Sequence, residues 1–237
     1  MNLPRDITLK ISKVLDNWIP PTIRDSKYFI YLPFKLMFRE KVDIFLTFKE
    51  KAPYMTEEEY VKLYKEIDPY LIQRETSLNS ESIRSILRSI KGKTVLEVGC
   101  GKAYLAKKLS KKYLVTAVDI LVDASIKKEN GNIHFINANV EHLPFKNMSF
   151  ETTICTHTLE HVQKFDKAVS ELRRVTKKRL ILVVPMQKPY KYTFDLHLRF
   201  FPFLHSFLLA LRDIGEKPKN FVCKNIDGDI FYYENRF

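Results

Sequence analysis

Glu97, Gly99, Gly101 and Asp119 are the residues whose types and spacing first suggest chemistry. The first three fall within the stretch KTVLEVGCGKAYL at 93–105. Residues 94–98 are an apolar run of β-branched side chains and leucine broken only by Glu97, the pattern of a parallel strand covered on both faces. Gly99 and Gly101 then allow a sharp turn and a close approach of backbone to a ligand. Beyond them Ala103, Leu105, Ala106 and Leu109 recur at helical spacing. Strand, glycine turn and helix N-terminus together offer N–H groups at a positive dipole end, an arrangement suited to a nucleotide. A dinucleotide turn carries a small residue three positions after its second glycine, where this chain has Tyr104. Glu97 would repel a pyrophosphate but accept an ammonium or sulfonium. Asp119 lies 20 positions after Gly99 and ends a second apolar run at 113–118, where an acid at a strand tip reaches a ribose diol.

Three other groups invite chemical readings. His157 and His161 lie four apart, but the zinc-protease pattern needs Glu after the first His and this chain has Thr158, so no metal site is expected. Cys155 sits inside a predicted strand without an adjoining proline turn, which favours a buried structural thiol over a nucleophile for RNA. Asp195 and His197 follow the fifth predicted strand. There the imidazole would take a proton from a hydroxyl acceptor with Asp195 orienting it, unless Asp195 caps a helix and His197 packs or faces solvent.

Further blocks follow in order. Residues 133–138 read as a third strand leading into NVEHLPF at 139–145, and FETTICTHTLEHV at 150–162 begins with a fourth strand. Taken together, VLEVGCGKA, the acid at 119, NVEHLPF and the L-E-H block resemble the class I S-adenosylmethionine-dependent methyltransferases, in their broad small-molecule (type 11-like) branch, over 93 to about 185. The chain departs from the family pattern at the third glycine, where it has Ala103, and at the adenine-binding acid, where it has Asn139. The amide carbonyl of Asn139 still accepts the adenine amino group. The resemblance implies S-adenosyl-L-methionine as cofactor, held by Glu97, Gly99, Cys100, Gly101, Asp119, Ile120, Asn139, Val140 and Thr156. It implies methyl transfer to a small-molecule, glycan or lipid-linked acceptor, at oxygen, with His197 offered as the catalytic base. The competing classes are an RNA methyltransferase and a non-catalytic cofactor-binding partner protein. The N-P-P-Y-type motif for methylating base nitrogens is absent, its place holding CTHT.

The 237 residues suffice to bury a large core. A net charge of +12 points to an anionic partner: RNA, a phospholipid surface or a phosphorylated substrate. Lys and Arg cluster at 173–179 (RRVTKKR), where a solvated basic helix end is expected. Three distant cysteines without metal spacing, and no apolar leader at the first residues, place the protein in the cytoplasm. Peripheral contact with an anionic membrane is the further expectation. The aromatic runs at 28–38 and 200–211 exceed an ordinary surface. They read as core, or as an acceptor pocket or membrane-facing patch, with Trp18 and the tyrosines at the interface and Lys35, Arg39 and Arg199 toward phosphates. Phe34 and Phe38 are the side chains on which such a patch would depend.

The elements that must position these groups suggest an α/β fold. The expectation is a Rossmann-like seven-stranded, mostly parallel sheet, its last strand antiparallel, with helices on both faces. Residues 1–91 would form an N-terminal helical cover and 92–237 the core. Ile7, Ile11, Val14, Leu15 and Trp18 keep helical spacing up to Pro20-Pro21. Thr56 with Glu59 makes a capping box. Residues 195–212 read as a helix with Pro202 as a kink or break, and Asp227-Gly228 as a hairpin turn between the last two strands.

Overall fold

The computed structural model describes residues 10–11, 14–67, 74–122, 125–126, 133–215 and 217–236; the expected apolar position Ile7 lies outside them. Two compact units divide the chain: Met1–Arg74 with Lys188–Leu198, and Glu75–Gln187 with Arg199–Phe237. This division does not coincide with a boundary at 91. Helix-forming residues 80–89 belong to the second unit, and Lys188–Leu198 belongs with the N-terminal residues.

The first unit is helical: α1 (Pro21–Arg24), α2 (Lys27–Phe38), α3 (Val42–Lys51) and α4 (Glu57–Ile67). α2 tolerates Pro33 at the cost of one helical hydrogen bond. Its Ile30, Phe34 and Phe38 are buried with Phe45, Phe48, Tyr60 and Ile67. Phe38 stacks on Phe45, and Phe34 lies 4.6 Å from the ring of Phe194. Phe34 and Phe38 are therefore core residues; the patch expectation for them is corrected. Phe194 and Leu196 tie 188–198 into this core. Buried Arg24 adds a polar anchor: it pairs with Asp16 and Asp25, donates to the Pro189 carbonyl and covers the Tyr190 ring. At the start of α4, Thr56 and Glu59 exchange the hydrogen bonds of a capping box.

The second unit is a seven-stranded sheet of order β3-β2-β1-β4-β5-β7-β6. The strands are β1 (Thr94–Val98), β2 (Leu114–Asp119), β3 (His134–Asn137), β4 (Phe150–Thr156), β5 (Thr176–Pro185), β6 (Asn220–Ile226) and β7 (Asp229–Asn235). β7 runs antiparallel to both its neighbours, and the pairs from β3 through β5 are parallel. Because side chains alternate across a strand, the sheet feeds two cores. Leu96, Val98, Leu180, Leu182 and Val184 pack under α7 (Phe165–Val175) and α8 (Leu204–Arg212). Val95, Ile154, Ile181 and Val183 pack with α5 (Ser80–Ser89) and α6 (Tyr104–Leu109). The β6–β7 hairpin turns at Asp227 and Gly228, both at positive φ (48° and 85°), as a tight two-residue loop requires.

Two sequence expectations change here. Residues 195–203 are not helical; α8 begins after Phe203, whose N–H is accepted by Ser206 Oγ, so Pro202 lies before the helix. The basic run at 173–179 is only partly a solvated face: Lys177 and Lys178 are exposed, while the three arginines are engaged within the fold. Arg173 is buried and pairs bidentately with Glu234; Arg174 pairs with Glu171 and donates to the carbonyls of Leu143 and Phe145; Arg179 holds Asn235 and the Ser89 carbonyl. Arg199 belongs to the second unit and lies over the Phe165 ring.

Candidate functional site

In the sheet order, β1 leads to β2 on one side and lies against β4 on the other. That reversal opens a crevice at the carboxyl ends of the strands, the place where open α/β sheets bind ligands. Register brings the ends together: Val98 pairs with Val118 and with Cys155, and Asp119 with Asn137.

The glycine turn is built from backbone. The N–H groups of Gly99 and Cys100 both donate to the Val118 carbonyl, at 2.8 and 3.0 Å, folding the turn over the end of β2. Gly99 has φ 76°, and a Cβ there would collide with Thr158 Oγ1. Gly101 has φ 47° and open space beside it. Ala103, standing where the family pattern has glycine, is itself left-handed at φ 58°, a conformation costing a non-glycine residue roughly 1–2 kcal/mol. The sequence departs from the pattern, and the backbone does not.

Asp119 Oδ2 accepts the Gly101 N–H at 2.8 Å and Oδ1 accepts the Leu121 N–H at 3.1 Å. Burial raises its pKa against these backbone bonds. Each carboxylate oxygen retains a second acceptor site, so the residue can order the turn and still receive a diol. Ile120 is half-buried beside it. Asn139 Oδ1 accepts the Glu141 N–H at 3.0 Å in an Asx-type turn, which fixes its amide at the end of β3, followed by buried Val140.

Glu97 is 2% exposed at the base of the crevice. One oxygen takes the Ala106 N–H in the first turn of α6, while Oε2 has no hydrogen-bond partner among the described residues. Burial, with Asp119 nearby, pushes its pKa up to about 8. A buried, half-satisfied acid facing a nucleotide turn suits a cationic ligand group.

Across the crevice, Thr156 is buried at the end of β4 and accepts the Thr158 hydroxyl through its carbonyl. His157 follows at φ 49°, its N–H bound to the Val183 carbonyl. Its Nδ1 lies 3.4 Å from Glu160 and its Nε2 3.4 Å from Asp229. Burial alone would lower its pKa; the two carboxylates outweigh that and hold it at about 9. Asp229, at the start of β7, also receives Asn79 Nδ2 and Ser82 Oγ. His157 is conspicuous in the sequence, whereas nothing near it points to this partner 72 residues on; the L-E-H block is the signal for Glu160. Cys155 is fully buried and its thiol pKa is raised by burial, as expected of a structural cysteine. With Glu97 and Asp119 at the glycine turn and Glu160 and Asp229 against the His157 ring, the edge favours cationic over phosphate-bearing ligands.

Thus all nine residues expected to hold a cofactor lie in the second unit along one sheet edge. His197 is buried in the first unit, within Lys188–Leu198, and is not among them.

Residues 96–184 match the family described as the methyltransferase domain. An uncharacterized protein of Methanocaldococcus jannaschii is 33% identical over 53% of this chain and 52% of its own. The malonyl-[acyl-carrier protein] O-methyltransferase of Buchnera aphidicola is 33% identical over 35% of each. The chain thus spans about half the length, or less, of these relatives. Among solved structures, the Burkholderia thailandensis 1,6-didemethyltoxoflavin-N1-methyltransferase, with S-adenosylhomocysteine bound, overlays at TM-score 0.55. It is 13% identical and covers 66% of this chain and 76% of that one, a likeness of fold.

Proposed function

Since this chain carries a class I S-adenosylmethionine-dependent methyltransferase domain of the type 11 branch, we propose that it methylates a small-molecule, glycan or lipid-linked acceptor, at oxygen. The observation that carries this reading is the single sheet edge bearing the glycine turn, Asp119, Asn139 and the half-satisfied Glu97. These residues fit the cofactor. Glu97 supplies an anionic oxygen for an ammonium, Asp119 a carboxylate for ribose hydroxyls, and Asn139 a carbonyl for the adenine amino group. S-adenosyl-L-methionine, when bound, supplies an electrophilic methyl group. The chain's part is to hold ligand and acceptor in line and to keep water out, which accounts for much of the rate in such transfers.

A hydroxyl acceptor must also lose its proton, and we assign that to His197, a buried imidazole in the segment after β5. His157 is unsuited to the role, since both its nitrogens face carboxylates that favour its charged form. The named relatives include an O-methyltransferase and C-methyltransferases, so the oxygen assignment rests on the imidazole of His197. The RNA reading loses three of the five basic side chains of the run at 173–179, because Arg173, Arg174 and Arg179 are engaged within the fold and only Lys177 and Lys178 stay exposed. We place the protein in the cytoplasm; no disulfide joins its cysteines among the described residues.

The test is transfer of a tritium-labelled methyl group to fractionated lipid, glycan and RNA pools. Label in an organic-soluble or glycan acceptor, lost in His197→Asn with cofactor affinity retained, is the expected result. Label confined to RNA refutes the acceptor assignment. Cofactor binding with no transfer to any pool favours a non-catalytic partner protein.

A further inference from the structure

We propose that the outer face of α2 docks on an anionic lipid surface. The helix, KYFIYLPFKLMF, is apolar on both sides. Ile30, Phe34 and Phe38 fill the core of the first unit, yet Tyr28, Leu32 and Leu36 are 95, 64 and 75% exposed. Those three recur at i, i+4 and i+8, forming one stripe along the helix surface. Phe29 and Tyr31, also exposed, flank it. A helix with one face in a core ordinarily presents polar residues on the other. Here the only charged residues from 27 to 39 are Lys27, Lys35 and Arg39, all basic and all exposed. In the same unit, Trp18 just before α1 is 81% exposed.

Basic side chains beside an aliphatic stripe, with aromatic rings on its flanks, make the surface of a helix lying in the plane of a membrane interface. The charges commit the occupant: headgroup phosphates meet Lys27, Lys35 and Arg39 while Leu32 and Leu36 reach the acyl boundary. No helix among the described residues is long and apolar enough to cross a membrane, so the contact is peripheral. The proposal stands apart from the methyl-transfer reading, since vesicle binding and cofactor binding are measured separately.

The experiment is flotation of the full chain with phosphatidylcholine vesicles, with and without phosphatidylglycerol. Binding is expected to the anionic vesicles at low salt and to weaken as salt screens the attraction. Leu32→Ser/Leu36→Ser should lower partitioning about tenfold or more, because two exposed leucines lose their burial in lipid. Lys27→Gln/Lys35→Gln should lower it about 25-fold, each basic residue near an anionic surface contributing roughly fivefold. Both variants substitute exposed positions and should keep the wild-type circular dichroism spectrum and S-adenosylhomocysteine affinity. The proposal is overturned if the wild type ignores anionic vesicles or if both variants bind them like wild type. A chain that shifts RNA instead of vesicles overturns it too. So does a dimer, on gel filtration, that the leucine variant dissolves in a protein without vesicle affinity.

Discussion

Ligand binding should expel a proton from Glu97. With its pKa held at about 8, the buried carboxyl is about nine-tenths protonated at pH 7. An ammonium brought against Oε2 favours the ionised form, so each charged ligand bound displaces about 0.9 proton at pH 7. The same linkage makes affinity rise close to tenfold between pH 6 and pH 7, since ionising the acid costs about 1.4 kcal/mol more for each unit below its pKa. S-adenosylhomocysteine is the suitable ligand, because the ammonium is its only cation and stays charged below about pH 7.5. Calorimetry at pH 7 in buffers of different ionisation enthalpy gives the proton count as the slope of observed heat against buffer heat. Glu97→Gln keeps the size of the side chain and should bring that slope near zero while flattening the pH dependence. A wild-type slope of zero refutes the assignment of Glu97 to the ammonium, as does the same slope in the Gln variant.

Other outcomes follow from the same geometry. Asp119→Ala should weaken S-adenosylhomocysteine by on the order of 1.5–3 kcal/mol by calorimetry, the range for hydrogen bonds to a charged group. Gly99→Ala forces a left-handed alanine against Thr158 and should cost about 1–3 kcal/mol in denaturant unfolding, whereas Gly101→Ala has room and should cost less. Arg173→Ala leaves Glu234 charged and buried and should cost about 3–5 kcal/mol in the same assay. The raised pKa of His157 means its charge stabilises the fold fully below about pH 6.5 and progressively less up to about pH 9. His157→Asn, an amide that tolerates φ 49°, should therefore narrow the stability difference between pH 6 and pH 9 seen in thermal melts.

The fold was legible because its signals are local. β1, β2, β4 and β5 announce themselves as short apolar runs, and the Asp227-Gly228 turn fixes the last hairpin. The failures are failures of context. Arg173, Arg174 and Arg179 look solvated in sequence because nothing nearby reveals Glu234 or Asn235 on β7, about 60 positions on, which receive two of them. Residues 195–203 have the apolar spacing of a helix, yet Phe194 and Leu196 are drawn into the core of the first unit, and the helix starts only beyond Pro202. Phe34 and Phe38 could not be told from Leu32 and Leu36 by composition, since α2 is apolar on both sides and only packing decides which side is covered.

The same contrast separates the residues expected to hold the cofactor from the segment proposed for the acceptor. The residues expected to hold the cofactor share one place because each is tied to the end of a strand: a glycine turn, an acid 20 residues on and an amide after β3 stand at the carboxyl edge of the sheet. The residues proposed for the acceptor have no such tether. Lys188–Leu198 leaves the sheet after β5 and takes its shape from Arg24, Asp16 and Asp25 of the N-terminal helices, through one buried guanidinium and its two carboxylates. No periodicity in 188–198 encodes those partners, which lie some 165 positions earlier. On the proposed assignment, the acceptor is held by a segment whose conformation depends on this network, and Arg24→Ala should test that dependence. It should lower the turnover of acceptor while leaving S-adenosylhomocysteine affinity within about twofold of wild type, since none of the nine residues expected to hold the cofactor belongs to the first unit. A loss of cofactor affinity equal to the loss of turnover would mean that 188–198 is not a separate acceptor element.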